Sequence, residues 1–255
     1  MKSVLITGDK GFIGSNLVPL IDRYESWDIA DNIFSRDFEA AVKRNDVVIH
    51  LAALTNVEDS KKNPKKFYET NLLGTAQVIE YCRKYDKKLI YPSTLHVAFP
   101  ERSPYAHSKQ VAELLVKCFM PFFPITILRL YNVYGANMNN NSGSIINLFL
   151  KKKPIEVWGK GEAKRDYINV VDVVNIMKEA ISSKWNNKIV DIGSGKGTAL
   201  KDVATLFSEY RNVPIVYKKA QEIEWPIANT KMLKSLYKKR LVTDLRKDIK
   251  DLCLN

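Results

Sequence analysis

The sequence predicts an α/β fold, a doubly wound parallel sheet with a smaller C-terminal α/β domain. Three observations predict it. Apolar strand-like runs alternate with helix-like runs through residue 130, the pattern that right-handed crossovers convert into a parallel sheet. Val47 to Ala52 is a continuous apolar run rather than an alternating one, as a strand covered on both faces requires. The first strand-like run, Ser3 to Thr7, stops at glycines 8, 11 and 14 and passes directly into an apolar helical pattern.

The elements follow in order. The glycines let the backbone turn sharply after the first strand and approach a pyrophosphate, whose charge the start of the next helix meets. Phe12, Ile13, Leu17, Leu20 and Ile21 give that helix its apolar face. Strand, glycine turn and helix in this order are the context of a Rossmann-type dinucleotide site. Trp27 to Asn32 offers a second short strand, and Val47 to Ala52 a third. Pro64 to Tyr85 reads as one long helix, with Phe67, Leu72, Leu73, Ala76, Val78 and Ile79 at apolar positions. Lys88 to Tyr91 is the next strand, Tyr105 to Phe119 the next helix and Ile125 to Leu130 a further strand. A polar loop, Asn137 to Gly143, then interrupts the alternation. Short strands are expected near Ile155 to Trp158, Ile189 to Ile192 and Val213 to Tyr217. The expected division is residues 1–136 for the dinucleotide-binding domain and 137–255 mainly for a substrate-binding domain, with some segments returning to the first.

Composition bounds the classes. The 255 residues suffice for a large core, and 45% hydrophobic residues is ordinary for a globular chain. No apolar run approaches the length needed to span a bilayer, and the apolar stretch after Met1 and Lys2 stops at the glycines, unlike a signal peptide. Cys82, Cys118 and Cys253 are odd in number and lack Cys-x-x-Cys spacing, which predicts a reducing cytoplasm and no metal site. The net charge of +12 is scattered in short lysine doublets and triplets. No nucleic-acid motif accompanies it, so no nucleic-acid partner is expected.

Tyr105 and Lys109 lie four apart on the predicted helix, so both side chains emerge on one face. A phenol with its ordinary pKa near 10 is a poor base at neutral pH. An ammonium held beside it stabilises the phenolate and is expected to draw that pKa down.

With these residues in view, the chain resembles the extended short-chain dehydrogenase/reductase superfamily, in its NAD-dependent nucleotide-sugar epimerase/dehydratase branch, over nearly its whole length. The resemblance rests on Gly8-x-x-Gly11-x-x-Gly14, His50-Leu-Ala-Ala53, Asn71-Leu-Leu-Gly-Thr75, the strand end Tyr91-Pro-Ser-Thr94 and Tyr105-x-x-x-Lys109. It continues through Arg129-Leu-Tyr-Asn132-Val-Tyr-Gly135, Gly159-x-Gly161-x-x-x-Arg165-Asp166 and Gly193-Ser-Gly195. It implies NAD held by Gly8, Gly11, Phe12, Ile13, Gly14, Asp28, Ile29, Asp31, Leu51, Ala52, Ala53, Asn71, Tyr105 and Lys109, with NADP not excluded. It implies catalysis by Thr94, Tyr105 and Lys109, and contacts from Thr94, Asn132 and Arg165 to a nucleotide-diphosphate sugar. It also implies a homodimer formed through the helices 64–85 and 105–119, which carry more apolar positions than one buried stripe needs. His96 and His107 are read as ordinary polar residues.

Two departures matter. Relatives carry two strands between the first helix and Val47, one ending in an acidic residue for the adenosine ribose and one with an Asp beside the adenine. Here a single segment offers Asp31 for the first role and Asp28 with Ile29 for the second. The connection from Thr94 to Tyr105 is also about half the usual length. A 4,6-dehydratase needs an acid and a base directly after the catalytic Thr, and Leu95 cannot titrate. The expected reaction is therefore 4-epimerisation of a UDP-hexose-like substrate through a transient 4-keto sugar. An NAD(P)H-dependent 4-ketoreductase and a non-catalytic NAD(H)-binding sensor or scaffold are the alternatives.

Overall fold

The computed structural model describes residues 2–28, 32–138 and 144–254. Contacts divide them into two compact units, residues 1–130 with 174–190 and residues 131–173 with 191–255. The chain thus returns to the first unit once before completing the second.

In the first unit, β1 (Val4–Thr7) leads through the glycine turn into the short α1 (Phe12–Leu17) and then β2 (Tyr24–Trp27). Helix α2 (Arg36–Arg44) starts at Ser35, whose hydroxyl accepts from Phe38 N. It feeds β3 (Val47–His50), which pairs parallel with the other side of β1. After α3 (Val57–Lys62), the predicted long helix is α4 (Pro64–Tyr68) and α5 (Gly74–Lys84), joined by a π-helical turn at Glu69–Leu73. Strand β4 runs Lys88–Thr94, three residues beyond the sequence expectation, and is buried throughout. Helix α6 (Pro104–Phe119) has Ser103 as its cap and proline at its first position, and β5 is Ile125–Leu130.

These strands and a sixth, β9 (Lys188–Ile192), form one sheet in the order β2-β1-β3-β4-β5-β9. The order reverses at β1, where β2 lies on one side and β3 on the other, and such a switch point opens a ligand crevice at the strand C-termini. No strand lies outside β2 among the described residues. Leu5, Phe38, Val48, Ile79, Leu89 and Ile127 are fully or almost fully buried in the core on one face.

The second unit starts with β6 (Asn132–Tyr134), α7 (Ile145–Lys151), β7 (Ile155–Trp158) and β8 (Lys164–Asn169). Helix α8 (Val170–Ala180) follows and from Val174 onward belongs to the first unit; the second resumes with β10 (Gly197–Ala199), α9 (Leu200–Arg211) and β11 (Ile215–Lys218). Two C-terminal helices, α10 (Lys231–Leu236) and α11 (Leu245–Leu254), complete it. Strands β10-β8-β6 form one small sheet and β11-β7 another. Their core is Tyr134, Phe149, Val157, Phe207 and Ile249 with their neighbours. Of the polar loop expected at 137–143, only Asn137 and Met138 lie within the described residues.

Candidate active site

The three glycines of the first turn are not equivalent. Gly8 has φ +73°, and a Cβ there would meet Ala52 N at 2.7 Å, so the turn is pressed against the chain leaving β3. A Cβ on Gly14 would meet Gly8 O at 2.4 Å and Asp9 Cα at 2.6 Å, so the first turn of α1 packs directly on the loop. At Gly11 the nearest atom is Gly8 O at 3.2 Å. The turn is therefore closed on two sides and open at Gly11, with Phe12 and Ile13 entering α1 next to it, and this cradle fits a dinucleotide pyrophosphate. Asp28 directly follows β2, and its carboxylate lies 3.1 Å from Lys10 Nζ. The sequence reading gave the ribose to Asp31 and the adenine side to Asp28 with Ile29. Ile29 and Asp31 lie outside the described residues.

A string of buried hydrogen bonds ties the ends of β1 and β3 to α5. Thr7 Oγ1 accepts from Ala52 N and lies 2.8 Å from His50 Nδ1. Thr75 Oγ1 lies 3.3 Å from His50 Nε2 and donates to Asn71 O. Burial, assisted by the charge of Lys109, pushes His50 down to about 3, so its ring is neutral and serves as a spacer. Leu51, Ala52 and Ala53 follow, partly exposed, at the C-terminal end of β3. The Asn71 side chain is spent on the chain itself: it accepts from Leu54 N and donates to Leu54 O and Ser108 Oγ. It shapes the loop after β3, a contribution to the crevice through that loop.

Strand β4 and helix α6 bring Thr94, Tyr105 and Lys109 together. All three are nearly buried, at 8%, 7% and 5% exposure. The Thr94 hydroxyl lies beside Tyr105 and favours its phenolate, and Lys109 Nζ donates to Pro92 O at 2.9 Å while sitting 4.3 Å over the Tyr91 ring. The expected lowering of the phenol pKa is absent here. Burial raises Tyr105 and the Thr94 bond pulls only partly against it. Burial also pushes Lys109 down to about 7, with Glu113 opposing. Desolvation is the largest influence on both groups.

Sequence reasoning passed over two residues at this place. His96 packs edge-on against Tyr105, with ring centroids 5.5 Å apart; the shortened connection, coiled as the 3-10 turn Leu95–Ala98, puts it there. Leu95 itself is buried. Glu113, two helical turns after Tyr105 on the same face, is 2% exposed and bonded to Ser93, Arg129 and Lys117. Its spacing of four from Lys109 was the available signal. His107 instead pairs with Tyr68 at the surface.

The remaining two expected residues belong to the second unit. Asn132 Nδ2 donates to Asp166 O. Arg165 places its guanidinium 5.7 Å from the Trp225 ring, and its Nε is buried without a hydrogen-bond partner among the described residues. Asp166, fully buried, accepts from Ser194 N, Gly195 N and Ala228 N and so fixes the glycine turn at 193–195 beside it.

Comparison with known proteins agrees with this architecture. A curated relative from Methanocaldococcus jannaschii, described as a putative UDP-glucose 4-epimerase, is 32% identical over 245 residues, covering 78% of this chain and 79% of its own. A UDP-N-acetyl-alpha-D-glucosaminuronate decarboxylase from Bacillus cytotoxicus is 29% identical, covering 80% and 78%. Among solved structures, the UDP-N-acetylglucosamine 4-epimerase of Methanobrevibacter ruminantium superposes with a TM-score of 0.88 at 23% identity, over 99% of this chain and 97% of that one. The match of residues 4–193 to the NAD dependent epimerase/dehydratase family makes this chain a member of that family, and with it an enzyme whose cofactor is NAD.

Proposed function

We propose that the protein is an NAD-dependent 4-epimerase of a nucleotide-diphosphate sugar. The observation that carries this reading is the buried group Thr94, Tyr105 and Lys109 at the end of β4, followed by Leu95 where a dehydratase would need a titratable side chain. The 32% identical relative described as a putative UDP-glucose 4-epimerase supports it. In this reading residues 1–136 hold NAD and 137–255 mainly hold the sugar nucleotide.

NAD supplies a hydride acceptor and donor at the sugar carbon. Gly8, Gly11, Phe12, Ile13 and Gly14 would hold its pyrophosphate, Asp28 a ribose hydroxyl, and Leu51, Ala52 and Ala53 would line its path. An acidic acceptor at the ribose favours NAD, because it would repel a 2′-phosphate. Tyr105 Oη exchanges the proton of the sugar 4-hydroxyl, and Thr94 Oγ1 shares the hydrogen bond that orients it. In the chain alone the phenol is held protonated, the state that returns a proton to a keto oxygen. Taking a proton from a hydroxyl requires Lys109 in its charged form. Arg165, with an unused Nε, offers a planar donor set for the diphosphate, and Asn132 flanks it through Asp166.

The shortened Thr94–Tyr105 connection favours a second reading, an NAD(P)H-dependent 4-ketoreductase that releases its product. One experiment separates them. The purified protein is scanned for bound nicotinamide and incubated with UDP-glucose and UDP-N-acetylglucosamine, with products resolved by proton NMR. The epimerase reading expects bound cofactor and conversion at C4 without added reductant. Turnover only of 4-keto sugars, with stoichiometric loss of NAD(P)H, would replace it by the reductase. Absence of any turnover with cofactor bound would leave a nucleotide-binding scaffold.

A further inference from the structure

Three consecutive residues of β4 are each gripped by one face of α6. Pro92 O accepts from Lys109 Nζ at 2.9 Å, Ser93 Oγ donates to Glu113 Oε2 at 2.5 Å, and the Thr94 hydroxyl lies beside Tyr105. Tyr105, Lys109 and Glu113 are spaced by four, so they form one stripe along the helix. Ser93, the middle residue, stands between the two points where the strand touches the reacting pair. Its partner Glu113 is anchored from the far side by Arg129 of β5, through Nε at 3.1 Å and Nη2 at 2.7 Å, and by Lys117 at 2.7 Å. Strand β4, helix α6 and strand β5 therefore meet at a single buried carboxylate.

That carboxylate is also an electrical partner. The titratable groups around Lys109 are His50 from β3, Tyr91 from β4, and Tyr105 and Glu113 from its own helix. Burial keeps His50 neutral and raises both phenols, so they are neutral near pH 7. Burial alone would push Glu113 up too, but the hydrogen bonds from Arg129, Lys117 and Ser93 overcome it and hold Glu113 down at about 2. It is thus ionised throughout the working range, one helical turn from a lysine whose pKa burial lowers to about 7.

We infer that Glu113 is a positioning residue for the Tyr105–Lys109 pair: it locks β4 against α6 through Ser93 and supplies the negative charge against which Lys109 keeps its proton. The consequence for turnover rests on the function proposed above, whereas the contacts and the charge do not. A buried ion pair of this kind adds little net stability against an apolar substitute, and its value here lies in where it holds the lysine and in what state. Arg129 tunes the effect with the opposite sign, because it offsets the carboxylate as seen from Lys109.

The test titrates Lys109 itself in the full chain labelled with ε-13C-lysine, the resonance being assigned with Lys109→Arg. Glu113→Gln keeps the shape and removes the charge, and should lower the Lys109 midpoint by about one unit. In Arg129→Gln the hydrogen bonds from Lys117 and Ser93 still hold Glu113 ionised, the carboxylate is less compensated, and the midpoint should rise. Ser93→Ala should leave the midpoint in place while lowering kcat more than it changes KM. Opposite shifts in the two charge variants support the inference, since a loosened fold would move both the same way. If Glu113→Gln does not fold, the upward shift in Arg129→Gln carries the test alone. An unmoved midpoint in the folded variants, or shifts of one sign, overturns it. The alkaline limb of kcat should follow the midpoint; a limb that ignores a moved midpoint would refute the reaction assigned to Tyr105 and Lys109 and leave the positioning intact.

Discussion

Replacing each glycine of the first turn by alanine should give three different enzymes. At Gly8 the left-handed backbone costs a side chain about 1–2 kcal/mol, and the added Cβ would lie 2.7 Å from Ala52 N. Overpacking against backbone adds about 1–3 kcal/mol, so Gly8→Ala should lose about 2–5 kcal/mol. Gly14→Ala places its methyl within 2.6 Å of Gly8 O, Asp9 Cα and Asp9 O, all of them main-chain atoms that can give only by moving the whole turn. It should lie at or beyond the upper end of the overpacking range, about 3 kcal/mol. Gly11→Ala meets nothing closer than 3.2 Å and, at the helix cap, should cost about 1 kcal/mol or less. Its methyl would instead fill the open side of the cradle and weaken NAD at least tenfold. Urea unfolding of the three variants, run beside calorimetric titration with NAD, measures both quantities. If Gly11→Ala kept wild-type NAD affinity, or unfolded as readily as Gly14→Ala, the cradle would be a packing feature and the assignment of the pyrophosphate to it would be wrong.

Other substitutions probe the rest of the site. Tyr105→Phe should abolish turnover and leave NAD affinity within a factor of a few, because its hydroxyl exchanges a proton; a substantially active variant would exclude it as the proton carrier. Arg165→Ala should raise KM for the sugar nucleotide with little change in kcat, the mark of a contact equal in ground and transition states, and a loss confined to kcat would contradict this. Acid should weaken the fold as Glu113 protonates. Its folded pKa of about 2 lies below the ordinary 4.5, so the stabilisation is complete above pH 4.5 and disappears toward pH 2. The difference is worth on the order of 3 kcal/mol, and the gap in unfolding free energy between wild type and Glu113→Gln should narrow over that interval; a constant gap would count against an ionised Glu113. In solution the chain is expected to be a dimer, since Leu73, Leu114 and Phe122 stay 52%, 52% and 71% exposed on or just after helices that pack together. A Leu114→Glu variant should be monomeric by light scattering, and a wild-type monomer at micromolar concentration would refute the assembly.

What could be read from the sequence was what depends on local periodicity and turn chemistry. The buried strands β1, β3 and β5 and helix α6 are continuous apolar runs or clear helical stripes, and the structure ends them within a residue or two of the expected places. Tyr105 and Lys109 were legible as a pair because a spacing of four on a helix fixes the side of emergence, and Thr94 through the resemblance of its strand end. Strands β6, β8 and β10 were not, since three to six residues with mixed polarity carry no period that distinguishes them from loop. The π-helical turn inside the long helix is likewise invisible to a 3.6-residue pattern. It contains Asn71, the residue whose amide reaches across to Leu54 and Ser108.

The electrostatics were the least legible, and the reason is physical. Sequence spacing shows that an ammonium and a phenol are neighbours, and neighbourhood alone predicts that each stabilises the other's charged form. It does not show that both are more than nine-tenths buried, and desolvation acts on both before either can help the other. The same burial that raises Tyr105 lowers Lys109, so the pair by itself drifts toward neutrality. An outside charge is needed to oppose that drift at Lys109, and it must be buried on the same face and kept ionised by partners, one of them from another element. Glu113 meets those conditions through Ser93, Lys117 and Arg129 together, and Arg129 lies sixteen residues away in sequence and on a different strand. A candidate catalytic pair can therefore be recognised by its spacing, while the charge proposed to act on it becomes visible only when the sheet brings β5 beside α6.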